Sequence, residues 1–257
     1  MTIRGVIVRS WGLVVLALVL VGCGANVDAR APQPKPLRVT KARTCTPGLR
    51  RLGSPRVAYA GVVQRPLRAY RRPGRTAFAR FGLENVNGVP TVFGVTGVVV
   101  GRSCRAGWYR VQLPVRPNGA SGYVRARDLW VTMVRTRIEV DVSARRLRFY
   151  RRGRLVLRAR IAVGSPATPT PYGRFYVNQR LIPTNPRGPF GPGAIGISAF
   201  SNVLTGWTQG GPVAIHGTNE PWSIGHAVSN GCIRLPNPVL RRIFRATSAG
   251  TPVVVHP

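Results

Sequence analysis

The chain is predicted to be mainly β, with a small barrel or sandwich followed by a second β-rich domain that ends in one helix. Three observations lead there. Between residues 57 and 132, short apolar runs recur with Gly and Pro between them: Val57-Ala58-Tyr59, Thr91-Val92-Phe93, Val98-Val99-Val100 and Trp108-Tyr109-Arg110-Val111. That spacing suits several short strands closing a small β module. From residue 133 onward, Ile138, Val140 and Val142 alternate with Glu139 and Asp141, the period of a half-buried strand. Near the end, Leu240, Ile243, Phe244 and Thr247 fall on one face of a helix, with Arg241, Arg242 and Arg245 on the other.

Within the second domain, Arg151-Arg152-Gly153 is a turn and Leu155 to Val163 a returning strand. Residues 183–196 are rich in Pro and Gly and form either a lid beside the site or a plain surface loop. Gly211-Pro212-Val213-Ala214-Ile215 is a buried strand that delivers His216, and Ile233 and Leu235 flank Arg234 as a second strand. Asn237 before Pro238 is expected to be the helix N-cap, and Gly250 its end, with Val253 to Val255 as a last strand.

The chemistry concentrates in Ile215–Asn237. Cys232 follows Gly231, whose backbone freedom lets other groups approach the sulfur. A histidine beside a cysteine can take its proton and hold the thiolate as an ion pair, which makes a nucleophile. The His216-Gly217-Thr218-Asn219 run, the Ser229-Asn230-Gly231-Cys232-Ile233-Arg234-Leu235 run and Asn237 together resemble the active-site signature of the L,D-transpeptidase catalytic domain, the YkuD-like family. Thr168-Pro169-Thr170-Pro171-Tyr172-Gly173-Arg174-Phe175 resembles another segment of that family, and Ile138–Val142 with Leu147–Tyr150 its opening hairpin.

The resemblance implies Cys232 as nucleophile, His216 as general base and acid, and the Gly217 carbonyl as the group that orients the imidazole. Glu220 is the alternative orienter. It places Arg234 near a substrate carboxylate, a role suited to a guanidinium, or else leaves it closing the loop. Ser229 and Gly231 shape the pocket, and the N–H groups of Gly231 and Cys232 face the oxyanion. Some family members carry a histidine where this chain has Asn230. His226 and His256 are given no catalytic duty. The implied reaction forms 3→3 cross-links between peptidoglycan stem peptides, with carbapenems expected to label Cys232. Hydrolysis of the same acyl-enzyme, an L,D-carboxypeptidase activity, is one alternative, and a non-catalytic wall-binding lipoprotein the other. No cofactor is implied, and no cysteine spacing resembles a zinc site.

The N-terminus sets the expected compartment. Arg4 and Arg9 precede or flank an apolar run, Trp11–Val21, too short to span a bilayer comfortably. Leu20-Val21-Gly22-Cys23 resembles a bacterial lipobox, which implies a signal peptide over 1–22, lipidation of Cys23 and a protein tethered to the cell membrane, facing the wall. Residues 23–56, with Ala31-Pro32-Gln33-Pro34-Lys35-Pro36, are expected to be a Pro-rich spacer. With Cys23 and Cys232 so assigned, Cys45 and Cys104 remain as an even pair outside the cytoplasm; a disulfide is expected, with two buried thiols as the alternative. Such a loop would contribute roughly 4 kcal/mol.

Residues 57–132 resemble the end of a bacterial SH3-like domain at Gly107–Val111 and Gly119–Val124, with Trp108 and Tyr123 as ligand contacts or core; residues 133–257 are the catalytic domain. The net charge of +33 is almost all arginine, since lysine occurs only at Lys35 and Lys41. So cationic a surface is drawn to anionic wall polymers or lipid head groups. The arginines are spread along the chain and the export signal argues against nucleic acid as a partner.

Overall fold

The computed structural model describes residues 46–257. The expected signal peptide, Cys23, most of the expected spacer and Cys45 lie outside the described residues. The described residues form one compact unit.

The N-terminal sheet contains β1 (Gly48–Arg51), β2 (Ala58–Val63), β3 (Leu67–Tyr70), β4 (Ala77–Phe81), β5 (Val92–Val100), β6 (Ala106–Gln112), β7 (Ser121–Arg125) and β8 (Leu129–Val134). Its order is β4-β3-β7-β6-β5-β2-β8, and β1 also pairs with β5. Strand β1 falls within the stretch expected to be spacer. It is strand because Gly48–Arg51 finds an open partner in the second half of β5, from Gly97 to Val100. The runs Thr91–Phe93 and Val98–Val100, expected as separate strands, fall at the two ends of a single long β5, which starts at Val92 and whose register shifts near Val95–Gly97 instead of breaking. Phe93, Val95, Val111, Leu113 and Val124 build the core of this sheet. Trp108 packs edge-on against Tyr70 at 5.2 Å and lies under Arg125, so its ring is partly engaged in packing. Cys104 is disulfide-bonded.

The second sheet contains β9 (Thr136–Asp141), β10 (Arg146–Arg151), β11 (Arg154–Arg160), β13 (Gly173–Leu181), β14 (Ala194–Phe200), β15 (Pro212–His216), β17 (Ile233–Arg234) and β18 (Pro252–His256). Short β12 (Val163–Gly164) and β16 (Ala227–Ser229) pair separately, and α1 (Asn237–Ala246) lies between β17 and β18. The sheet order is β11-β10-β9-β18-β13-β14-β15-β17. Alternation sets the register of β9: Ile138 and Val140 are buried while Arg137, Glu139 and Asp141 are half-buried. Arg152 and Gly153 both have positive φ, the requirement of a tight two-residue hairpin turn between β10 and β11. The expected strand from Leu155 to Val163 is interrupted after Arg160; Ala162 bridges to Arg234 and Val163 pairs with Ala227. That break lets one segment serve both the hairpin and the site.

Helix α1 buries Leu240 and Ile243 beside Ile233 and Leu235, and exposes Arg241, Arg242 and Arg245. Two expectations at its ends are corrected. Pro236 occupies the N-cap position, because the Asn237 side chain is committed elsewhere. The helix stops at Ala246, and Gly250 instead lies where a Cβ would fall inside the Ala60 methyl group of β2. The two sheets therefore meet at backbone distance there. Gln112 adds a hydrogen bond to the Arg174 carbonyl at 2.9 Å, and Gly94 leaves room for the Tyr176 ring.

Candidate active site

Strands β15 and β17 run parallel, with Ile215 opposite Ile233 and His216 opposite Arg234. One step earlier, Cys232 stands opposite Ala214, whose backbone it contacts. Side chains alternate along a strand, so Ile215 and Ile233 enter the core, where both are fully buried. Cys232, His216 and Arg234 therefore project from the other face, with the sulfur and the imidazole as diagonal neighbours. They line one groove of about 150 Å³, with Phe190, Trp207 and Ser229 in its wall.

His216 is 4% exposed. Its Nδ1 lies 2.5 Å from the Gly217 carbonyl oxygen. A carbonyl only accepts, so Nδ1 carries the hydrogen and Nε2 keeps the lone pair that a base needs. Glu220, the alternative orienter, is engaged by Arg234 and does not hold the ring. The Phe190 ring packs edge-on against the imidazole at 4.9 Å. Burial pushes the His216 pKa down to about 4; the Gly217 contact opposes this and the Arg234 charge adds to it.

Cys232 is a free thiol. Burial pushes its pKa up, against the Ala214 backbone and the Arg234 charge, which both favour the thiolate. Both shifts oppose charge separation between the two side chains at rest, because burial disfavours each charged form.

The loop carrying Cys232 is held by hydroxyl groups. Ser229 Oγ donates to the Cys232 carbonyl at 2.5 Å. Thr170 Oγ1 donates to the Gly231 carbonyl at 3.0 Å and accepts from Gly164 N–H at 2.8 Å. Thr168 Oγ1 donates to the Ser229 carbonyl at 3.0 Å. Gly231 has φ +100°, where a side chain would be strained. Thus Ser229 acts through the backbone as well as lining the groove, and the Thr168–Thr170 segment is its cradle.

Asn237 fixes the other half. Its Oδ1 accepts from Thr218 N–H at 2.8 Å and its Nδ2 donates to the Thr218 carbonyl at 2.9 Å. A Cβ at Gly217 would collide with Asn237 Oδ1 and with Pro192, so only glycine fits the turn after the catalytic histidine candidate. Arg234 gives Nη1 to Glu220, and its Nε is buried with no partner among the described residues. Asn230 lies on the groove wall, His226 is exposed on a loop, and His256 sits on β18 away from the thiol. The 182–193 loop does border the site, through Pro189 and Phe190. Among the described residues no group of three His, Cys, Asp or Glu is placed to hold a metal.

Sequence reasoning passed over Thr168 and Thr170 as site-builders, although both stand in the Thr-Pro-Thr-Pro run. It also missed the segment from Ser201 to Gly211, which supplies Leu204 and Trp207 to the groove.

A free thiol and a buried imidazole on parallel strands of a β domain define a candidate cysteine acyl-transfer site. Residues 135–255 match the family described as the L,D-transpeptidase catalytic domain, YkuD. The YkuD protein of Bacillus licheniformis is 42% identical over 121 residues, covering 47% of this chain and 66% of that protein. The YkuD protein of Bacillus subtilis strain 168 is 38% identical over 119 residues, covering 46% and 65%. The match therefore spans slightly less than two thirds of those relatives. The NMR structure of the catalytic domain from E. faecium L,D-transpeptidase shares 30% identity, covering 47% of this chain and 96% of that one, with a TM-score of 0.35. Residues 135–255 are thus similar to the YkuD-like L,D-transpeptidase catalytic domain.

Proposed function

We propose that the protein is an exported, lipid-anchored L,D-transpeptidase that forms 3→3 cross-links in peptidoglycan through a thioester on Cys232. The observation that carries this is the shared groove of Cys232, His216 with Nε2 unprotonated, and Arg234. As the scissile carbonyl of a donor stem enters, the Cys232 proton passes to His216 Nε2 and the sulfur attacks the carbonyl carbon. The C–N bond to the terminal D-residue breaks, and the imidazolium returns the proton to the leaving amine. An acceptor amine then attacks the thioester and gives a proton to His216; the C–S bond breaks and the thiol is restored.

Arg234 suits the carboxylate of the donor. Glu220 occupies Nη1, and the guanidinium lines the same groove as the thiol, so its charge is at hand for a substrate carboxylate, a pairing worth more than a neutral bond. The Gly217 carbonyl orients the base in place of a carboxylate, and the backbone N–H groups of Gly231 and Cys232 serve the oxyanion. The spacer, the lipid on Cys23 and an SH3-like character of the N-terminal module belong to the same proposal, as does attraction of the cationic surface to anionic wall polymers.

The test is to incubate residues 24–257 with tetrapeptide muropeptides and weigh the products. Dimers lacking one terminal D-residue support the transferase, and tripeptides alone favour the carboxypeptidase. Cys232→Ala should abolish both; products that survive this change would refute the assigned nucleophile. Carbapenem adducts on Cys232 provide a second readout.

A further inference from the structure

The segment between β14 and β15, residues 201–211, roofs the site. Trp207 lines the small groove and also a larger one, about 520 Å³, that reaches Cys232 from the other side. The segment's own fastenings are local: Ser201 N–H to the Gly211 carbonyl at 2.8 Å, Thr205 N–H to the Val203 carbonyl at 2.9 Å, Gly210 N–H to the Trp207 carbonyl at 2.8 Å, and Ser201 Oγ accepting from the N–H groups of Val203 and Leu204. Gln209, Gly210 and Gly211 all have positive φ, so the backbone is not held by a preference of its own.

What fixes it comes from loops of the N-terminal module, between β6 and β7 and between β4 and β5. Arg116 Nη2 donates to the Ser201 carbonyl at 2.6 Å and to the Gly210 carbonyl at 2.7 Å, joining both ends of the segment. Its guanidinium lies over the Phe200 ring at 5.4 Å. Asn118 pairs with Phe200 in both directions: Nδ2 donates to the carbonyl at 2.7 Å and Oδ1 accepts from N–H at 2.8 Å. Gln209 Nε2 donates to Asn87 Oδ1 at 2.9 Å, and Asn87 Nδ2 donates to Gln179 Oε1 at 2.9 Å. Asn87 itself lines the larger groove.

We propose that the N-terminal β module is a working part of the active site: Arg116 and Asn118 are positioning residues that hold the 201–211 segment over Cys232, and Asn87 forms part of the wall that a substrate peptide touches. The role assigned to the substrate rests on the acyl-transfer reading above; the clamp itself does not. Two charge-assisted bonds and a two-way amide pair restrain a segment that would otherwise open into solvent. The module is then more than a tether or an independent wall-binding unit.

The test uses the full chain in detergent, with Arg116→Ala, Asn118→Ala and Arg116→Lys. Losing either clamp should speed amide hydrogen exchange over residues 200–212 about tenfold, with residues 133–160 unchanged. Alkylation of Cys232 by iodoacetamide, read by peptide mass, should quicken at least about twofold as the roof lifts. With tetrapeptide substrate, KM should rise about fivefold while kcat stays within about threefold, because the strands that carry the thiol and imidazole are untouched. Arg116→Lys, which keeps the charge but only one short donor group, should fall between. Unchanged exchange over 200–212 in both alanine variants would overturn the proposal. So would exchange that rises equally everywhere, or a loosened segment with unaltered Cys232 alkylation. If the unmodified protein turns over no tetrapeptide, the functional reading fails, and exchange and alkylation still decide the clamp.

Discussion

Acid should destabilise this fold through His216 in particular. The ring is buried and its pKa is pushed down to about 4 from an ordinary 6.5. In the unfolded chain the imidazole takes up a proton as pH falls through 6.5, whereas the folded protein resists until about 4. The unfolded state therefore binds more protons across that window, and stability falls with falling pH. At 1.36 kcal/mol per pH unit, the gap corresponds to roughly 3 kcal/mol lost by pH 4 and almost none above pH 7.5. His216→Asn keeps a donor for the Gly217 carbonyl and removes the titration. Urea unfolding of both proteins from pH 4 to 7.5 is the assay. Other titrating groups, such as Asp141, whose pKa is held down by the Ala144 N–H, cancel in the difference. With a slope of about 2 kcal/mol per molar urea, the midpoint difference between the two proteins should change by about 1.5 M across the range. Parallel pH curves for the two proteins would refute the reasoning, because they would mean that His216 is protonated as easily folded as unfolded.

Three further outcomes follow from the same arrangement of residues. Alkylation of Cys232 should climb steadily with pH through the neutral and mildly alkaline range, since burial raises the thiol above its ordinary pKa; a rate plateau between about pH 5 and 8 would reveal a standing thiolate–imidazolium pair instead. Asn237→Ala removes both hydrogen bonds to Thr218 and should cost about 2 kcal/mol in urea unfolding, with turnover falling further than stability because the turn after His216 loosens. Gly250→Ala forces a methyl group into Ala60 at φ +87°, and should destabilise by about 2–4 kcal/mol; a loss below about 0.5 kcal/mol would mean the two sheets do not meet there.

The chain displayed its chemistry more openly than its supports. Cys232, His216 and Arg234 stand in one short stretch, and the apolar residues between them alternate, so two adjacent strands could be read directly. The hairpin of β9 and β10 was legible for the same reason. Asn237 misled because Asn before Pro is a common helix start, and nothing local announces that its amide is taken by Thr218. Glu220 is near His216 in sequence, but its carboxylate answers to the nearest strong cation, Arg234. Arg116 and Asn118 were invisible because their partners lie more than eighty positions away. Arg-Pro-Asn-Gly announces only a turn. Long-range pairings of polar side chains with backbone carry no periodic signal, so they are the part of a site that sequence pattern does not reveal.

Apart from the Arg234–Glu220 ion pair, the candidate site is assembled by neutral groups in a chain of net charge +33. Ser229, Thr168, Thr170 and Asn237 fix the Cys232 loop and the turn after His216, and Gly217 offers a carbonyl where a carboxylate is the usual orienter. A carboxylate behind His216 would raise the imidazole pKa and would be contested by surrounding arginines. Amides and hydroxyls have short, directional bonds that distant charge hardly alters. Geometry at the thiol should therefore be insensitive to ionic strength, while capture of an anionic polymer by the arginine surface should not be. Raising salt from about 0.05 to 0.5 M is expected to leave Cys232 alkylation unchanged and to lower kcat/KM several-fold for polymer-borne substrate. Equal losses in both would mean that the internal bonds of the site depend on charge after all, against the arrangement of its side chains.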